Sequence, residues 1–181
     1  MKCLKAFGII SIVLVVIATL YLVAGGYNVA ADDPHWRATA LLLAAVRERS
    51  IASRASPIVV PPDLNTAKRV ADGAVDYAEM CAGCHLAPGI KNTELREGLY
   101  PTPPDLAHDP VSDPKVAFWT IKHGIKMTGM PAWGKSHNDE LIWNMVAFLH
   151  KLPDTTPERY RALTAKARPD EHGHDDDPMR Q

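Results

Sequence analysis

Cysteine is scarce in this chain, with three among 181 residues, at positions 3, 81 and 84. Three thiols cannot build the disulfide framework of a small secreted scaffold. Nor do they complete a structural zinc site, which needs four ligands at compatible spacing. Charge imbalance is also lacking: 20 basic against 21 acidic side chains exclude the strongly basic surface of a nucleic-acid binder and any strong electrostatic capture by net charge. Aromatic residues are few, whereas proline is plentiful at 15. That mixture suits a small helical domain with long Pro-rich connections better than a sheet protein, and the length allows one domain plus appendages.

Against that background the run Cys81-Ala82-Gly83-Cys84-His85 stands out. Cys-x-x-Cys-His is the pattern of covalent c-type haem attachment. Two cysteines three positions apart at a helix end can reach two vinyl groups on one side of a porphyrin. The following histidine is then held beneath the iron and can donate an imidazole nitrogen to it. A bare Cys-x-x-Cys also serves in thiol redox chemistry or as half of a zinc site. No second cysteine pair and no thioredoxin-like βαβ pattern accompany it here.

The N-terminus carries Lys2 and Lys5 ahead of an uncharged run from Ala6 to Ala31, most apolar over Phe7 to Ala24. A helix of that length approaches the roughly 20 residues that cross a bilayer core. It exceeds the apolar region of a cleaved signal peptide, usually about 7–15 residues, which favours a retained signal anchor. Ala24-Gly25-Gly26 and Val29-Ala30-Ala31 remain tolerable cleavage sequences. The two lysines orient the N-terminus to the cytoplasm and the rest to the periplasmic side, where c-type haem is attached in bacteria. Residues 1–31 are thus expected to form a transmembrane anchor in the inner membrane, with Trp36 near the interface.

Residues 32–62 read as a connecting helix and a Pro-rich linker. Pro34 can open a helix that continues through Ala38 to about Arg54, with Leu41, Leu42, Ala45 and Val46 on one stripe and Arg37, Arg47, Arg49 and Arg54 on the polar face. Such a helix docks on a membrane or partner, or serves as a solvated spacer packed on the next domain; both readings stand. Pro57, Pro61 and Pro62 end it.

The domain expected over 63–153 opens with a helix capped by Asn65 or Thr66 and running to about Met80. Val70, Ala74 and Tyr77 share a face, and Gly73 lets another helix approach closely. This helix delivers Cys81, Cys84 and His85. The stretch from Ala87 to Ala107 is an extended loop, in which the carbonyl of Pro104 is the candidate acceptor for the second ring nitrogen of His85 and Leu106 the candidate ring contact. Asp113-Pro114 caps a helix ending near His123-Gly124. The Gly-rich loop from Gly124 to Gly134 holds two methionines, and a thioether suits the sixth position of a c-type haem iron. Met130, between Gly129 and Pro131, is the expected ligand and Met127 the runner-up. Met80 sits too near the attachment site to reach the opposite face, and His108 and His123 are the bis-histidine rivals. Trp133 packs on the ring edge or bonds a propionate. Ser136 or Asn138 caps a last helix to about Lys151, carrying Leu141, Met145 and Phe148, which should cross the first near Gly73 and Tyr77. Residues 154–181 read as a polar, disordered tail, with Glu171 to Asp177 as a weak divalent-ion candidate.

From about Lys68 to Leu152 the ordered set Gly73, Tyr77, Cys81-x-x-Cys84-His85, Pro104-x-Leu106 and Gly129-Met130-Pro131-Ala132, with an aromatic-bearing last helix, resembles a class I monohaem cytochrome c. It is most similar to the small membrane-anchored bacterial type. The resemblance implies an all-α fold around one covalent haem c, with Cys81 and Cys84 attaching it and His85 and Met130 as axial ligands. It implies single-electron transfer through an exposed haem edge, without enzymatic turnover, by a tethered carrier or by a subunit of a respiratory complex. The expected partners are a dehydrogenase or an oxidase, and Lys122, Lys126 and Lys135 are candidates to steer an acidic one. A haem enzyme or gas sensor with a labile sixth ligand is the alternative.

Overall fold

The computed structural model of the protein describes residues 2–165, without the side chains of Lys2 and Leu4. The expected all-α architecture is what the described residues form: every regular element is helical, and one isolated bridge pairs Ala87 with Ile90. The chain divides into two units, one ending at His35 and one beginning at Trp36.

The first unit is dominated by α1 (Lys2–Val23). Its segment Lys5–Val23 has a mean hydropathy of 2.7 and no buried residue. It is long and apolar enough to cross a membrane. The helix stops at Gly25, whose φ of +73° suits a residue without a Cβ. Beyond it, Tyr27 Oη and His35 Nδ1 share a 2.7 Å hydrogen bond.

The second unit begins with α2 (Arg37–Ala55), which packs along α6 (Pro114–His123). The more buried positions of α2 are Thr39, Ala40, Ala44, Arg47, Ser50, Ile51 and Ala55. Most recur at intervals of three and four, so they share a stripe. The leucine-bearing stripe lies elsewhere: Leu41, Leu42 and Val46 are each more than half exposed. Apart from Arg47 and Ile51 this face carries small residues, which allow closer approach between helices than a leucine face, and Lys115 Nζ completes the join by donating to Ser56 O at 3.2 Å.

Helix α3 (Ala67–Met80) follows Thr66, which occupies the N-cap position without a side-chain cap bond. It is followed by two short helices, α4 (Ala82–His85) and α5 (Glu94–Glu97). The start of α6 is as the sequence implies: Asp113 Oδ1 accepts from Lys115 N at 2.8 Å and Pro114 takes the first helical position. Of the two candidate caps for α7 (Asp139–Leu149), it is Asn138 that accepts, from Leu141 N at 3.0 Å.

The crossing of α3 and α7 organises the core. A Cβ built on Gly73 would lie 1.9 Å from Asn144 O and 2.8 Å from Met145 N, so the two backbones touch where Gly73 permits it. One turn on, the Tyr77 and Phe148 rings meet at 5.4 Å; on the other flank Phe118 of α6 stacks on Trp143 at 4.2 Å. α7 buries all eight residues from Ile142 to Leu149, rather than one stripe. A helix hidden on every side is the centre of a domain, and each large apolar side chain so buried contributes roughly 1.5–3 kcal/mol. Arg69 braces the crossing by donating to Asp63 Oδ2 at 3.0 Å and to Asn144 Oδ1 at 2.8 Å.

The tail expected from residue 154 differs in its first part. Helix α8 (Pro157–Thr164) is capped by Thr156, whose hydroxyl accepts from Arg159 N, and it packs on α3. An eight-residue helix is marginal alone; this one buries Tyr160, whose ring stacks 6.2 Å from that of Phe148. The ion-binding candidate from Glu171 to Asp177 lies outside the described residues.

Candidate functional site

Helix α3 ends at Cys81, whose N–H bonds Tyr77 O at 2.9 Å; Cys81 O then accepts from both Cys84 N and His85 N. One tight turn therefore carries the two thiols and the imidazole. It is closed by Leu86, a non-glycine residue at φ +61°, a conformation worth about 1–3 kcal/mol of strain. Tyr77 holds that residue in place: its hydroxyl donates to Leu86 O at 2.6 Å in the buried core. The tyrosine's hydroxyl is pushed well above its usual range, first by burial and then by Cys81, so it remains a donor.

His85 Nδ1 lies 3.0 Å from Pro104 O, the acceptor expected from the Pro-Pro-Asp-Leu run. A carbonyl can only accept, so Nδ1 carries the proton and Nε2 is the basic nitrogen. Burial holds His85 below 6.5, with the Pro104 bond opposing and Arg96 reinforcing that shift; the imidazole is therefore neutral, the form that binds metal. The loop is fixed twice more, by Leu106 N donating to His85 O at 3.1 Å and Arg96 Nε donating to Pro103 O at 3.2 Å.

Cys81, Cys84, His85, Leu106, Met130 and Trp133 all line one cavity of about 540 Å³. That lies within the range of about 300–1,000 Å³ typical of ligand sites. Its remaining wall includes Ile121 of α6, Leu149 of α7 and Pro101, Pro103 and Pro104 of the loop. Met130 is partly buried and packs against the core, and its loop is held by Ile125 N donating to Met130 O and by Met130 N donating to Thr128 Oγ1. Met127 is 91% exposed at φ +59° and takes no part in the wall. Gly129 makes room for Leu99, whose Cδ2 an added Cβ would approach to 2.7 Å, and Leu99 in turn lines the cavity.

The rival histidines, and His137, are engaged elsewhere. His108 pairs with Asp105 at 2.8 Å, His123 packs on Trp119 and His137 bonds Ser136. Lys122, a steering candidate, pairs with Asp139 at 2.5 Å, whereas Lys126 and Lys135 are exposed. Sequence reasoning missed three features of the site. Met80 and Met145 line the cavity, and so does Arg47, from α2. Only the helical spacing of Met145 was available as a signal.

The donor set suits haem c. An apolar slot bordered by two thiols, a neutral imidazole with its second nitrogen committed, and a thioether offers sulfur and nitrogen donors to iron and apolar surface to a porphyrin. It suits thiol redox chemistry poorly, because burial pushes the Cys81 thiol up to about 12 and only the thiolate attacks.

Residues 68–149 match the family described as "Cytochrome C oxidase, cbb3-type, subunit III". No curated protein and no solved structure matches the chain significantly. The matched segment begins inside α3 and ends with α7, so it spans the helix crossing, the Cys81–His85 turn and the methionine loop. Together the helical fold, the site and the family match make this segment a domain of the class I monohaem c-type cytochromes, proteins that carry haem and transfer electrons.

Proposed function

We propose that the chain is a membrane-anchored, periplasmic electron carrier holding one haem c, with Cys81 and Cys84 as the attachment residues and His85 and Met130 as the axial ligands. The observation that carries this reading is that all four residues line one apolar cavity while Met127 faces solvent. When bound, haem c supplies a one-electron ferric/ferrous couple. Pro104 O orients His85, and the Ile125 and Thr128 contacts hold the Met130 loop. The apolar wall excludes water. Held by both His85 and Met130, a haem iron would keep no open position, which favours an electron relay over an enzyme.

In the organisation we infer, residues 1–31 anchor the chain in the inner membrane, 32–62 connect, and the haem domain starts at residue 63. The apolar Lys5–Val23 helix supports the anchor. The family description, an oxidase subunit, supports a place in a terminal oxidase over a free shuttle, and the packing of α2 on the haem domain is compatible with either.

The test is a spectrum of the full-length protein purified from membranes in mild detergent. A pyridine haemochrome assay after denaturation should give one covalent haem per chain. The reduced native protein should not bind carbon monoxide rapidly at neutral pH. Rapid stoichiometric binding would replace the carrier by a haem enzyme or gas sensor with a labile sixth ligand.

A further inference from the structure

The cavity wall is apolar except for hydroxyls, backbone edges, the Trp133 indole N–H, the Cys81, Cys84 and His85 donors and one full charge. That charge is Arg47. It comes from α2, outside the matched segment 68–149, and it is the only Lys, Arg, Asp or Glu among the lining residues. Its side chain is 38% exposed, and its recorded ion pair is with Glu48 at 3.6 Å, a side chain 72% exposed. A pair that long and that wet contributes little. A guanidinium offers five N–H donors in a planar fork matched to carboxylates. Partly exposed, it keeps some water, and it offers an anion in the slot the one cationic partner on the wall.

The ligand chemistry this selects is a carboxylate carried on a large apolar body. Haem has that composition, with two propionates on its rim. We propose that Arg47 binds a haem propionate, which makes α2 part of the cofactor cradle and Arg47 a residue that sets the reduction potential. The proposal rests on the haem reading above. It gives the small-residue stripe of α2 a role, since close approach to α6 is what brings Arg47 to the cavity. It also predicts a sign. A cation at the haem edge, and its neutralisation of a propionate charge that would otherwise favour the ferric state, both disfavour that state, so Arg47 raises the potential.

The experiment is a spectroelectrochemical redox titration of the full-length protein carrying Arg47→Gln, Arg47→Lys, Glu48→Gln or Arg49→Gln. Loss of one unit charge at the edge of a low-dielectric site is worth on the order of tenfold in the oxidation equilibrium, or 59 mV for a one-electron couple. Arg47→Gln should shift the midpoint downward by about that amount, and Arg47→Lys should keep most of the wild-type value. Glu48→Gln, which frees the guanidinium from its competing carboxylate, should shift it upward. Arg49 is exposed, and its replacement should leave the midpoint in place. An Arg47→Gln midpoint equal to that of Arg49→Gln overturns the proposal. If Arg47→Gln does not accumulate with haem, Arg47→Met, which fills the same space without a charge, decides, and a midpoint equal to that of Arg49→Gln overturns the proposal. Absence of covalent haem in the wild-type protein sinks the underlying reading instead, which the haemochrome assay reports separately.

Discussion

Gly73→Ala tests the helix crossing that supports the cavity. The added Cβ would lie 1.9 Å from Asn144 O, 2.3 Å from Asn144 C and 2.8 Å from Met145 N. These are backbone atoms of α7, so no change of rotamer relieves the contact. Ordinary contact starts at 3.4 Å, so the helices must part by about 1.5 Å. A gap of about 0.5–1 Å already forfeits a quarter to a half of the dispersion energy between packed atoms, and the Tyr77–Phe148 contact lies one turn away. Overpacking costs about 1–3 kcal/mol, and a backbone clash belongs at the upper end. The gain in helix propensity on leaving glycine offsets about 1 kcal/mol. The expected net destabilisation is about 2 kcal/mol, which lowers Tm by roughly 8–16 °C in a domain of about 100 residues. Thermal unfolding of the haem-loaded protein followed by circular dichroism measures it. Gly98→Ala is the matched control: its Cβ would meet nothing closer than 3.8 Å at φ −82°, and it should be neutral or stabilise by about 0.4–1 kcal/mol. A Gly73→Ala protein as stable as the wild type would refute the crossing as described.

Tyr77→Phe keeps the ring contact with Phe148 but removes the donor to Leu86 O; an unsatisfied buried carbonyl should destabilise by about 1–3 kcal/mol, measured by urea unfolding, and an unchanged midpoint would mean the strained Leu86 needs no such restraint. His150 Nε2 is buried without a hydrogen-bond partner among the described residues, and burial first, then Lys151, holds the imidazole below 6.5 while Asp113 opposes. Its folded pKa is thus below its unfolded one, so its contribution is fully present above about pH 6.5 and is lost as pH falls through the folded value. His150→Gln should therefore lose less stability than the wild type on acidification from about pH 7.5 to about pH 5, and equal losses would contradict this.

Where the pattern was local, the sequence disclosed the structure. Asp113-Pro114 starts α6 because a cap and a ring-fixed φ act within three residues. Pro104 meets His85 because a metal-type histidine needs a second acceptor and the loop between them is rich in free carbonyls. Gly73 marks the crossing because few other reasons place glycine inside a helix. What stayed hidden depends on partners distant in sequence. Tyr160 is one aromatic in a charged stretch, and only Phe148 makes it a core residue. Arg69 and Asn144 are 75 positions apart. Arg47 looked like one more charge on a polar face, and its place in the cavity wall depends on how α2 lies on α6.

The central claim, a closed iron site completed by Met130, is tested most directly by the ferric absorbance spectrum of the wild type beside Met130→Ala and Met127→Ala. The account predicts a weak iron–sulfur band at the red end of the spectrum that disappears in Met130→Ala and persists in Met127→Ala. Persistence in Met130→Ala with loss in Met127→Ala would contradict it.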